Sequence, residues 1–230
     1  SLPVSLIVTA GFLAVDLAFF GANIVKVAQG GWFPLLVGVG GFVLFTTWHN
    51  GRERLAVELN KTTLPLEAFV QDLQQHNARR VPGTAVFLNS SPYGTPIALL
   101  HNLKLNRIVH EENLVLTVLT EEIPHVGPQQ RLELERLGAG FSRLIVRYGF
   151  MEDPDVPAAL AAAKELGVHV DPANVTYILS HNTLVPSAGS GVSFWRKRGF
   201  AFLSRNALKP TQFFRLPANR VIELGMQIKI

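Results

Sequence analysis

Two uninterrupted apolar runs, Leu2 to Val25 and Trp32 to Trp48, occupy most of the first 48 positions of this 230-residue chain. The first has 24 residues with one charge, Asp16, and the second has 17 with none. A hydrocarbon core of roughly 30 Å takes about 20 helical residues at ~1.5 Å each, so both runs are spanning candidates. Only six residues, Lys26 to Gly31, separate them, and the pair predicts a transmembrane helical hairpin with both outer ends on one side. Arg52, Arg54 and Lys61 follow the second run, whereas the connection holds Lys26 alone. The positive-inside bias therefore predicts that the rest of the chain is cytoplasmic. A signal peptide fits poorly, because no basic region precedes the first run and the run is too long. The chain starts at Ser1, directly at an apolar segment, and the expectation is a piece of a longer polypeptide.

Composition follows this division. A mean hydropathy of +0.24 is high for a soluble chain, and the excess lies in the first 48 residues. Beyond them stand 20 Lys and Arg against 16 Asp and Glu, which carries the whole net charge of +4. That is mild, and no tract is dense enough to argue for nucleic acid. The chain has no cysteine, which excludes disulfides, thiolate zinc sites and a cysteine nucleophile. The expected organisation is two membrane helices over 1–49 (about 2–25 and 32–48), a helical linker over 50–80, and a cytoplasmic α/β domain over 81–230.

The first helix sorts its side chains by face. Ser5, Thr9 and Asn23 fall within about 20° of Asp16 at 100° per residue. Ala10, Ala14, Ala18 and Ala22 form an i, i+4 ridge on the opposite side, of the kind that lets another helix approach closely. Gly38, Gly40 and Gly41 offer a similar surface in the second run, and Trp32 and Trp48 bracket that run as interfacial anchors. Asp16 admits two readings: a proton or cation relay, or a neutral or hydrogen-bonded group serving helix assembly. No second carboxylate lies in either run to extend a pathway.

Past the membrane segments, Leu55, Leu59, Leu66, Phe69, Val70 and Leu73 give Arg52 to His76 helical periodicity, and Pro65 breaks it in two. Strands are predicted at Thr84–Leu88, Leu114–Leu119, Leu132–Glu135, Ser142–Tyr148, Val175–Leu179 and Val221–Ile228. Helices are predicted at Ile97–Leu105, at Val156–Leu166 ending on Gly167, and from about Trp195 to Leu208. This mixture implies a mixed sheet with helices on its faces.

Few motifs carry chemistry. There is no Walker A, no Rossmann glycine fingerprint and no paired-histidine metal motif. Gly83 and Thr84, behind Pro82, are candidates for shaping a nucleotide pocket, although Pro-Gly also simply turns a chain into a strand. His101 and His110 flank Asn102, Lys104 and Arg107 in a segment able to hold an anion, with the two histidines on one side only if a single helix runs through both. Ser187 to Ser193, with Gly189 and Gly191, lacks the glycine-lysine pattern of a phosphate cradle and reads as a flexible loop. Trp195-Arg196-Lys197-Arg198 reads either as a contact for lipid headgroups or as a solvated helix face. No catalytic constellation emerges, which argues against a membrane-anchored enzyme.

One set of segments is more specific than any of these: Gly30-Gly31-Trp32 with Pro34, Thr46-Thr47-Trp48, Arg80 to Val86, His101-Asn102-Leu103-Lys104, His110-Glu111, and Pro217 to Gly225. They resemble, over essentially the whole chain, the carboxyl-terminal part of bacterial KUP potassium uptake permeases. The resemblance implies the last two of about twelve membrane helices plus the cytoplasmic tail domain, in the bacterial inner membrane. It implies secondary uptake of potassium together with protons, the ions being cargo, with no cofactor. The ion site of such transporters lies among broken helices of an inverted-repeat core. That core would lie upstream of Ser1, so no ion-binding residue is carried over and Asp16 is peripheral. The tail is expected to be regulatory or to serve assembly, by binding a nucleotide or forming a homodimer.

Overall fold

The computed structural model describes residues 2–60, 64–75, 78–168, 170, 174–185 and 192–229. The chain divides into two compact units, Ser1–Arg52 and Glu53–Ile230.

In the first unit, α1 (Leu2–Lys26) leads through a single π-helical turn, Val27–Gly31, into α2 (Trp32–Asn60). The expected loop is thus a kink. Its one non-helical residue is Gly30, at φ 125° and ψ −12°, a conformation open to glycine because it lacks a Cβ. Helix α2 does not stop at Trp48 but continues to Asn60, past the unit boundary, since no proline intervenes before Pro65. None of the side chains of α1 is buried, the condition expected of a surface that lipid or other membrane helices cover.

The second unit is built on one six-stranded sheet in the order β3-β4-β2-β1-β5-β6. The strands are β1 (Arg79–Asn89), β2 (Ile108–Glu121), β3 (Leu132–Gly138), β4 (Phe141–Gly149), β5 (Val175–Val185) and β6 (Val221–Lys229). Five run parallel, and β3 pairs antiparallel with β4 as a hairpin at one edge. The central strands read as nearly unbroken apolar runs, as a parallel sheet buried on both faces demands. All six predicted strands are present, most of them longer than their apolar segments.

Chain direction sets the faces. The path from β1 to β2 runs through α4 (Ile97–Asn106) toward one edge, a single turn α5 (Pro128–Arg131) precedes β3, and β4 to β5 runs back through α6 (Val156–Ala162). Right-handed crossovers in opposite senses place these helices on opposite faces. Two apolar layers result. Val86, Leu114, Leu144 and Tyr177 pack with Val156, Leu160 and Ala163 on one face. Ala85, Phe87, Val115, Phe141 and Ile178 pack with α4 on the other.

Helix α3 (Leu66–Gln75) joins the second layer with Leu66, Phe69, Val70 and Leu73, all buried. The segment before it is clasped as well, since the amide and hydroxyl of Thr95 both donate to the Leu64 carbonyl, at 2.9 and 2.8 Å. The expected linker 50–80 is therefore divided. Its first part belongs to α2, and α3 is an integral layer of the domain.

Candidate functional site

Parallel strands with a 3-2-1-4-5 spatial order create a switch point, here between β1 and β5, and ligands of such sheets sit outside the carboxyl ends of the strands beside it. At that end β1 leads into the segment 89–96. The Asn89 amide donates to the carbonyls of Ser91 and Gly94, both at 2.7 Å, which fixes the turn that delivers Pro96 to the start of α4.

A charged group that meets this loop is Arg143 of β4, only 4% exposed. Its guanidinium is held by Glu67 of α3 and Glu135 of β3, and lies 5.6 Å from the ring centroid of Tyr93 in the β1–α4 loop. Burial alone lowers the affinity of Arg143 for its proton, but the hydrogen bonds and charges of the two carboxylates outweigh it and raise the pKa. The Glu67 carboxyl lies below its ordinary value, first because of the hydrogen bond from Arg143. Arg143 Nε and Thr117 Oγ1 are buried without hydrogen-bond partners among the described residues. Arg143 thus ties four separate segments together. No motif in the sequence singles it out, although a signal is present: Arg143 and Arg147 interrupt the apolar strand Phe141 to Tyr148, and of the two only Arg143 is buried.

The nucleotide candidates lie toward the other end of β1. Gly83 and Thr84 do not precede the strand but sit inside it, at a bulge where the register with β2 slips between Val81 and Thr84. Gly83 has φ 104°, which explains a glycine here without invoking a ligand. Thr84 does line a cavity of about 450 Å³ with Glu112, Leu134, Arg136, Ser142 and Gly167. This cavity is at the amino-terminal side of the sheet, away from the switch-point crevice, and Arg136 within it donates to the Gly167 carbonyl at 3.2 Å.

The two histidines are not brought together on one helix. Helix α4 ends at Asn106, Arg107 caps it with φ 55°, and His110 falls on β2. The chain cannot stay helical because β2 begins at Ile108 to pair with Arg79 of β1. Asn102 between them is structural, since its amide reaches the Ile108 carbonyl at 3.1 Å, while Lys104 and Arg107 are exposed. His110 is held below its ordinary pKa by burial, and its Nδ1 is buried and unpartnered among the described residues. Asp16 is exposed on α1, with Asn23 on the same face donating to the Phe19 carbonyl at 2.8 Å. Residues Ser187 to Gly191 of the glycine-rich segment lie outside the described residues, and Val192 and Ser193 open α7 (Val192–Arg205). No group of three or more metal-ligating side chains occurs among the described residues.

Comparison with known proteins gives the architecture its context. Residues 82–230 match the model of the K+ potassium transporter C-terminal domain, and residues 1–53 match that of the K+ potassium transporter integral membrane domain. The chain belongs to the K+ potassium transporter family. It is 48% identical to a probable potassium transport system protein Kup of Myxococcus xanthus, over 95% of this chain and 34% of that protein. It is also 48% identical to Kup 1 of Geobacter sulfurreducens, over 96% of this chain and 35% of the relative. With the Kup protein of Thiobacillus denitrificans, identity is 47% over 98% and 36%. The chain spans about a third of the length of these curated relatives. No solved structure matches it. Within the family, α1 and most of α2 correspond to integral membrane sequence, and the sheet from Pro82 onward corresponds to the C-terminal domain.

Proposed function

We propose that these residues are the carboxyl-terminal portion of a secondary potassium uptake transporter that imports potassium together with protons. The observation that carries this reading is the joint match: integral membrane sequence over 1–53 and transporter C-terminal domain over 82–230, in relatives named as potassium transport system proteins. The ion path then lies in the roughly two thirds of such proteins outside this chain. The chain supplies two peripheral helices and a tail, and Asp16 serves helix assembly rather than ion passage. The basic flank Arg52 and Arg54 supports a cytoplasmic tail on a bacterial inner membrane protein. The test is rubidium uptake in cells lacking their own potassium uptake systems. A full-length transporter ending in these residues should restore uptake, and the 230 residues alone should not. Failure of an inserted full-length protein would overturn the reading.

A regulatory role for the tail is a second reading, favoured by the switch point between β1 and β5. A nucleotide would enter at the carboxyl ends, beside the segment 89–96, rather than at Gly83 and Thr84. Calorimetry of the chain with mono- and dinucleotides, and its self-association by light scattering, test nucleotide sensing and homodimer formation separately. Silence in both would remove the reading.

A further inference from the structure

Charge in the second unit is divided along the chain. From Glu53 to Asp171 acids outnumber Lys and Arg by 15 to 11, whereas from Pro172 to Ile222 there are seven Lys and Arg and no Asp or Glu. Four of those seven lie in α7, which packs against β5.

Helix α7 is buried on one side by Phe200 and Ala201, 2% and 1% exposed. On the opposite side Trp195 and Phe202, seven residues apart and so within about 20° of each other, are 71% and 64% exposed. Arg198 and Arg205 flank this pair on one side and Arg196 on the other. Among the described residues, none of these three arginines has a carboxylate partner. Arg198 instead lies 5.5 Å over the ring of Phe194, which holds its charge near the aromatic surface. Past the helix, Leu208, 64% exposed, and Lys209 continue the same pairing of apolar and cationic groups.

A solvated helix face has no reason to hold a large indole and a phenyl ring in water between cations. An interfacial helix has one, because aromatic groups settle at the headgroup boundary while flanking cations meet lipid phosphates. We propose that the outer face of α7 is a docking surface for anionic lipid headgroups, with Trp195 and Phe202 entering the interface and Arg196, Arg198 and Arg205 binding phosphates. Two features select lipid over another occupant. The same chain carries integral membrane sequence over residues 1–53, which keeps the domain at high local concentration near a bilayer. The cationic stretch also has no carboxylate of its own to repel an anionic surface.

The inference adds a lipid contact to a tail proposed as cytoplasmic, and its test does not depend on which way the tail faces. The chain has no cysteine, so Phe202→Cys gives one site for a nitroxide, which keeps an apolar group there. The labelled chain is placed in nanodiscs of phosphatidylcholine alone or mixed with phosphatidylglycerol, where both leaflets are alike. Collision of the label with oxygen relative to a water-soluble nickel complex is compared with a label at Met151, itself 66% exposed. The proposal expects the ratio at position 202 to rise several-fold over Met151 in the anionic discs. It should fall back in roughly 1 M salt, where the screening length is about 3 Å, and in the charge-reversed variant Arg196→Glu/Arg198→Glu. Equal ratios at the two positions in anionic discs would overturn the proposal. So would a raised ratio insensitive to salt and lipid charge, or dipolar coupling between labels showing that a second copy covers the face. The salt and lipid-charge comparisons use unreversed arginines, so they stand even if the charge-reversed variant fails to fold.

Discussion

Arg143 of β4 and Glu67 of α3, 76 positions apart in the chain, form an ion pair that fastens the first helix after the membrane segments to the sheet. The cation is 4% exposed and its partner about half exposed, so the two ends of the pair differ in how much their loss costs. Arg143→Ala removes the cation and opens a void, with an expected loss of about 2–4 kcal/mol. Glu67→Gln leaves Glu135 in place and puts the loss largely in solvent, at no more than about 1 kcal/mol. Urea unfolding of the chain in detergent, followed by circular dichroism, measures both. Equal costs would refute the idea that Glu135 shares the charge.

The same helix supplies an apolar test. Leu66 is fully buried against the face that carries Phe87 and Phe141. Leu66→Ala should destabilise the sheet by about 2–5 kcal/mol, the range for a core leucine. A change within about 0.5 kcal/mol, as for a surface site, would return α3 to the status of a linker.

The turn between β3 and β4 separates two glycines that the sequence does not distinguish. A Cβ on Gly140 would lie 2.1 Å from the Glu111 carbonyl oxygen, while one on Gly138 would meet nothing closer than 3.7 Å. Both have positive φ, so each alanine carries a conformational cost of about 1–2 kcal/mol. Gly140→Ala adds a backbone clash that cannot relax without parting β4 from β2, and its loss should exceed that of Gly138→Ala by a further ~2 kcal/mol or more. Thermal melts of the two variants side by side decide the matter.

Glu152 sets an acid limb. Its carboxylate accepts from the amides of Gly149 and Val126 and from Arg131, and the Gly149 amide is the largest of the causes that bring its pKa to about 2. A pKa lowered in the folded state stabilises fully above the ordinary carboxylate value and less as protons bind. The contribution of Glu152 is therefore present at neutral pH and fades from about pH 4.5 down to about 2. Glu152→Gln should lower the melting temperature at pH 7 and flatten its fall across that window. A variant whose acid limb runs parallel to the parent's would assign the limb to other carboxylates.

Several elements of the fold are legible in the amino-acid sequence. Periodicity and turn residues locate the strands and helices because each needs a local pattern: apolar runs for buried parallel strands, Gly167 at φ 84° to end the alanine-rich helix, Pro65 to part α2 from α3. Proximity along the chain is the poorer guide. His101 and His110 are nine residues apart, yet a left-handed cap at Arg107 sends one into a helix and the other into a strand. Pro82-Gly83 has the composition of a turn entering a strand, and pairing with β2 absorbs it as a bulge.

By itself, then, the sequence determined the two apolar spans, the α/β class, the family and the basic aromatic stretch of α7, because these depend on composition and short-range spacing. Only the tertiary structure decided the strand order, the switch point between β1 and β5, the place of α3 in the core and the burial of Arg143 between Glu67 and Glu135. These rest on contacts between segments distant in sequence, where many pairings satisfy the same local pattern and only simultaneous packing of both sheet faces selects one.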